Sequence, residues 1–186
     1  MKNQSNFVKI IVSIMAVGFI FWFVGSLLRG AIAYQVFENG QTLHIKQWLP
    51  VSDVLQTVRV YASLAIYTGI GYIVTYLLSI VLIIALRKEI KQQGWLFMAL
   101  TLFLLTGVIE FYLMYYDFQL GTGLLFDPQV RFDDYIVQQF FVSRIKNLTV
   151  ATMSALSALA GLTVVLFVIW MPLQKELKVK RDQSES

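Results

Sequence analysis

The sequence predicts an all-α membrane protein, a bundle of four transmembrane helices, and three observations carry that reading. Of its 186 residues 58% are hydrophobic and 14% charged, far from the mixture of a soluble domain. The apolar surplus is gathered in four runs, residues 7–28, 64–86, 95–116 and 150–171. Each has about the length that a helix rising ~1.5 Å per residue needs to cross ~30 Å of hydrocarbon. Finally, the segments 1–9, 87–94 and 172–186 hold nine Lys and Arg in 32 residues, whereas the long loops 29–63 and 117–149 hold six in 68. That asymmetry places both termini and the short turn in the cytoplasm of a cell (inner) membrane.

The first run exceeds the apolar part of a cleavable signal peptide and no Ala-x-Ala site follows it, so it is expected to remain as a helix. Gly18, Trp22, Gly25 and Arg29 fall on one line of it. The second helix is expected to begin near Asp53, with Ser52 as N-cap and Asp53 at the positive end of the helix dipole. Apolar residues at 54, 55, 58, 61, 62 and 65 then repeat with helical period. It therefore overshoots the bilayer on the outer side. The turn "RKEIKQQG" joins two membrane hairpins, and the third helix starts near Trp95.

A similar overshoot is expected before the fourth span, as one continuous helix from Asp133 or Asp134. It would carry an apolar stripe of Ile136, Val137, Phe140, Phe141, Ile145 and Leu148. Phe141 and Ile145 are candidates to pack on the sibling extension or on a partner. "NLT" at 147–149 matches the glycosylation pattern, but a place inside a helix at the membrane edge argues against its use. The whole chain reads as a single membrane domain, 1–186.

Net charge of +4 arises in the cytoplasmic segments, so the basic balance does not imply nucleic acid. There is no cysteine, and His44 is the single histidine, set in a polar loop. Disulfides, thiolate chemistry and a di-histidine metal or haem site are thereby excluded within this chain, and no cofactor is expected.

The one carboxylate within an apolar run is Glu110, in "GVIEFYL". An unpartnered charge there is too costly to persist. It shares a helical face with Thr106 and Asp117, while the second helix offers a ladder of Tyr61, Ala65, Thr68, Tyr72, Thr75 and Ser79. Glu110 is expected to face the bundle interior, within reach of Tyr72, Thr68, Arg29 or Arg59. On the fourth helix Ala151 with Ala155, Ser154 with Ala158, and Ser157 with Gly161 make small-xxx-small pairs that allow close packing.

No group of residues with catalytic geometry emerges. The expected function is a non-catalytic scaffold, assembly or regulatory subunit of a membrane complex. Its partners would be lipid and other membrane subunits or further copies of the chain, with any small-molecule ligand unspecified. The alternative is a small oligomeric proton- or cation-coupled carrier or channel that uses Glu110.

Overall fold

The structure, a computed structural model, describes residues 6–38, 43–90, 93–127 and 129–172, with Glu89 described by its backbone alone. The first five residues and the basic tail from 173 onward, two of the segments used to orient the chain, lie outside this description. Every named element among the described residues is helical, and an isolated bridge joins Phe37 and Ile45. Four helices are long and apolar enough to cross a membrane: α1 (Asn6–Val36), α2 (Val51–Ala85), α4 (Gly94–Phe126) and α7 (Leu148–Trp170). They make this an integral membrane protein by length and composition. A short turn, α3 (Arg87–Ile90), links α2 to α4.

Buried positions on α1 fall at 8, 11, 18, 22, 29, 33 and 36, steps of three, four and seven that define one face. That face packs on α2, which packs on α4, and α4 packs on α7. The backbones of α1 and α2 come close where two glycines meet. A Cβ on Gly18 would stand 3.0 Å from the Gly71 carbonyl oxygen, and one on Gly71 3.0 Å from that of Gly18. Small residues are what allow backbones this near in a membrane helix pair. Between α2 and α4 the fit is of side chain into glycine: Tyr76 lies over Gly107 and Ile66 over Gly121.

Both α1 and α4 run further than their apolar spans, through Val36 and Phe126. The segments 29–36 and 117–126, expected as the beginnings of loops, are thus helix. The reason is visible in their packing. Ala33, Val36, Leu120 and Leu124 join Val54, Val58, Tyr61, Val137 and Phe141 in one buried cluster at the long-loop end of the bundle. Phe141 stands edge-on to Tyr61 with ring centroids 5.2 Å apart, and Ile145 packs at the cluster's border.

Two local expectations are corrected. Ser52 does not cap α2: Pro50 holds the N-cap position with no side-chain bond, and the Ser52 hydroxyl is turned to Asp53. The helix before the fourth span is not continuous. It consists of α5 (Tyr135–Val137), a π-helical turn (138–142) and α6 (Ser143–Lys146), and it breaks at Asn147, whose backbone is extended. Asn147 is the N-cap of α7, its side-chain oxygen accepting the Thr149 N–H at 2.9 Å. Asparagine at this position satisfies a helix-end donor that would otherwise lack a partner. "NLT" therefore contains a cap. At its other end α7 stops at Met171 in the left-handed region, just before Pro172.

Candidate functional site

The π turn has a consequence for charge. By widening the helix it lets the adjacent residues Phe141 and Val142 both be buried, and one turn on it directs Arg144 into the bundle, 6% exposed. There Arg144 meets Asp117 of α4 and the hydroxyl of Tyr61. The second oxygen of Asp117 accepts from Arg29 of α1 at 2.6 Å. Arg29 also donates to Ser26 at 3.3 Å. The Tyr61 ring is flanked by both guanidinium groups, each 5.8 Å from its centroid. One carboxylate thus ties together α1, α2, α4 and α6. Burying such ions costs several kcal/mol each unless they are paired and hydrogen-bonded, and here every charge has a partner of opposite sign.

Glu110 lies two turns further along α4, ~10 Å from Asp117. It is 5% exposed and so does face the interior. Its partner differs from the ones expected. Ser157 of α7 donates to Oε1 at 2.5 Å, whereas Tyr72 pairs with Thr106 at 2.9 Å and Thr68 donates to the Ala65 carbonyl. The bonds of Arg29 go to Asp117 and Ser26. Arg59 is half-buried on α2, outside the cavity wall described next.

The hydroxyl ladder of α2 is buried as expected, with Tyr61, Thr68, Tyr72, Thr75 and Ser79 all on the inner face. Its protons are mostly committed to its own backbone, since Thr68, Thr75 and Ser79 donate to carbonyls three or four residues back. Tyr72 reaches across. Because Thr106 spends its proton on the Phe103 carbonyl at 2.6 Å, the Tyr72 hydroxyl is the donor to Thr106. Beneath Glu110 a cluster of Phe19, Trp22, Phe103 and Tyr72 forms an aromatic floor, with Trp22 5.1 Å from Tyr72. Among the described residues the four buried ionisable side chains, Arg29, Arg144, Asp117 and Glu110, therefore all lie on the long-loop side of that floor.

The bundle is not closed where α1 faces α7. A cavity of about 420 Å³ opens there, its wall including Arg29, Tyr61, Glu110 and Arg144 at the back and Ala151, Ser154, Ala155 and Ala158 along α7. The small residues of α7 do two things. Gly161 receives Phe23 and Trp22, to which a Cβ would come within 2.9 Å and 3.2 Å, while Ser154 and Ala158 leave the cavity its width. Beyond that contact the same α1–α7 seam continues as an apolar groove of about 280 Å³, walled by Met15, Phe19, Val164 and Val168 among others.

Three buried side-chain N–H groups lack a well-formed hydrogen bond among the described residues: the indole N–H of Trp22, which faces Glu110, the Nε–H of Arg29 and the indole N–H of Trp95. The first two belong to the cavity wall. Trp95 borders the apolar groove near the start of α4.

Arg144 is the site residue missed by sequence reading, which followed the apolar residues around it. The signal was present, because 137, 141 and 144 share a helical face and a cation on an otherwise apolar face calls for a buried partner. Ser157 was noted for its size alone. Comparison with protein families, curated proteins and solved structures finds no match to this chain.

Proposed function

We propose that this chain is a non-catalytic binding subunit of a cell (inner) membrane, one that scaffolds or regulates a larger assembly by receiving a membrane-embedded partner or ligand in the cleft between α1 and α7. Both termini and the turn at 87–94 are cytoplasmic in this reading. The helices form two hairpins, and α2 and the 135–146 segment extend on the outer side. The observation that carries it is the lateral opening, a gap in the bundle wall backed by charged groups and reachable from the lipid phase. Apolar stripes at the long-loop end were the other candidate surface. Phe141 and Ile145 are used within the chain there, which leaves Ser154 and Ala158 of the cleft as the surface for a partner.

A photoreactive amino acid at Ala155, in the cleft, compared with one at Val108, 80% exposed on the opposite helix α4, tests this in native membranes. Specific adducts, to protein or to lipid, are expected at Ala155 and not at Val108. Equal, diffuse adducts at the two positions would overturn the reading.

The carrier reading keeps one observation in its favour, namely that Glu110 is a carboxylate on a cavity wall. Against it stands the aromatic floor, beyond which the buried polar groups of α2 are Thr75 and Ser79, both bonded to their own helix. Proton flux in proteoliposomes that Glu110→Gln abolishes would favour the carrier.

A further inference from the structure

We infer that a strip of aromatic rings, Tyr112, Tyr115 and Tyr116 of α4 with Tyr135 and Phe140 of the segment before α7, seats the protein in the headgroup and glycerol layer at the long-loop end and fixes its depth in the bilayer. The inference is independent of the cleft between α1 and α7.

Positions 112, 115 and 116 share a face of α4, where Tyr112 and Tyr115 are exposed and Tyr116 is half-buried beside them. The rings are contiguous. Tyr115 and Tyr116 stand edge-on to Phe140, with centroids 6.2 Å and 6.0 Å away, and Phe140 in turn meets the exposed Tyr135 at 6.1 Å. The hydroxyls of Tyr112 and Tyr116 are bonded at 3.1 Å. Each tyrosine joins an apolar ring to a polar tip. Hydrocarbon offers a phenol hydroxyl no acceptor, and water would leave the rings as an exposed apolar patch. The glycerol and headgroup layer suits both ends, which is why tyrosine gathers there.

Three further observations place the strip at that level. On one side of it the nearest exposed positions of α4 are Phe111, Val108 and Leu105, and on the other Gln119 and Thr122. The surface thus turns from apolar to polar across the rings. Next, α4 begins at Gly94, shortly after the exposed Arg87 and Lys88. From there to Tyr115 it rises about 32 Å, close to the ~30 Å of a hydrocarbon core. Finally, Glu110 and Asp117 flank Tyr115 and meet Ser157 and Arg144. Tyr115 is therefore level with the stretch between those partners, which holds the exposed Lys146 and Asn147. Asp117 and its two arginines then lie at the membrane boundary, with Glu110 about 8 Å beneath Tyr115 along α4.

Leu125 and Phe126, at the far end of α4, are exposed as well, so the rival placement is a bilayer that reaches them. The chain has no cysteine, so single cysteines for spin labels can be introduced at Val108, Phe111, Gln119 and Thr122, all outside the strip. The full chain is reconstituted in phosphatidylcholine liposomes. Collision with oxygen, which concentrates in the bilayer interior, and with a water-soluble nickel chelate reads the depth of each label. Oxygen is expected to dominate at Val108 and Phe111 and the chelate at Gln119 and Thr122. The inference is overturned if oxygen still dominates at Gln119 and Thr122, if the chelate dominates at Phe111, or if neither reagent reaches Phe111 and Gln119, as a covering protein would require.

The anchoring role has its own test. Replacing Tyr112, Tyr115 and Tyr116 together by leucine removes the polar tips, and α4 is expected to sink by about one helical turn, so that the Gln119 label becomes oxygen-dominated. Tyr115→Leu alone, at an exposed position, is the milder variant and should move the Gln119 label in the same direction. An unchanged profile in both variants overturns the anchoring role.

Discussion

At the scale of single residues, Asp117 holds more of the structure together than the carboxylate that first draws the eye. It answers two arginines from different helices. Asp117→Asn leaves both facing a neutral amide in a buried site, and a loss of about 3–5 kcal/mol is expected, the scale of breaking a buried pair from one side. Arg144→Met should cost less, because Arg29 and Asp117 remain as a pair. Thermal unfolding of the purified variants in detergent checks the order, and an Arg144→Met protein less stable than Asp117→Asn would contradict the account. Glu110 makes a weaker demand. Glu110→Gln retains an acceptor for Ser157 and should be close to wild type in stability, whereas Glu110→Leu should lose about 1–2 kcal/mol, the scale of an interhelical hydrogen bond in a membrane.

At the scale of elements, the sequence made faces legible and left their partners open. Periodicity identified the inner face of α2 and the Gly18, Trp22, Arg29 line of α1, because a helix repeats every 3.6 residues whatever it packs against. It could not say that Glu110 meets Ser157 or that Tyr72 meets Thr106, since those pairings depend on how helices are set against one another. The break at Asn147 was legible in principle. Asparagine immediately before an apolar run is a cap signal, hidden here by the stripe running across it. Asn147→Ala should cost about 1 kcal/mol through the lost cap and Asn147→Asp little, and the Thr149 amide should lose hydrogen-exchange protection in the alanine variant. For the α1–α2 crossing, Gly18→Ala should destabilise by about 1–3 kcal/mol through overpacking, because its Cβ would fall 2.5 Å from the Thr75 hydroxyl. Gly30→Ala, with nothing within 4 Å of its Cβ, is the control and should be neutral or better.

At the scale of the whole molecule, composition and charge asymmetry already contained the four helices and the proposed orientation. The lateral opening was not readable, because a gap is a property of the distance between α1 and α7 and no residue type encodes it alone. Reporter fusions at His44, Lys88 and Gln129 test the orientation. Outward signals are expected at His44 and Gln129 and an inward one at Lys88, and an outward signal at Lys88 would reverse it.

The three-way contact at Asp117 also has a chronology. A chain made from its N-terminus presents Arg29 first, Asp117 88 residues later and Arg144 a further 27 residues on, and the earlier parts fold first. Asp117 can therefore be neutralised by Arg29 as soon as α4 enters the bilayer, while α7 is still being synthesised. Arg144 arrives afterwards at a carboxylate with one oxygen still to share, and Ser157 reaches Glu110 later still. Until α7 is made, Glu110 lacks the serine that donates to it and the side of α4 that α7 covers has no neighbour.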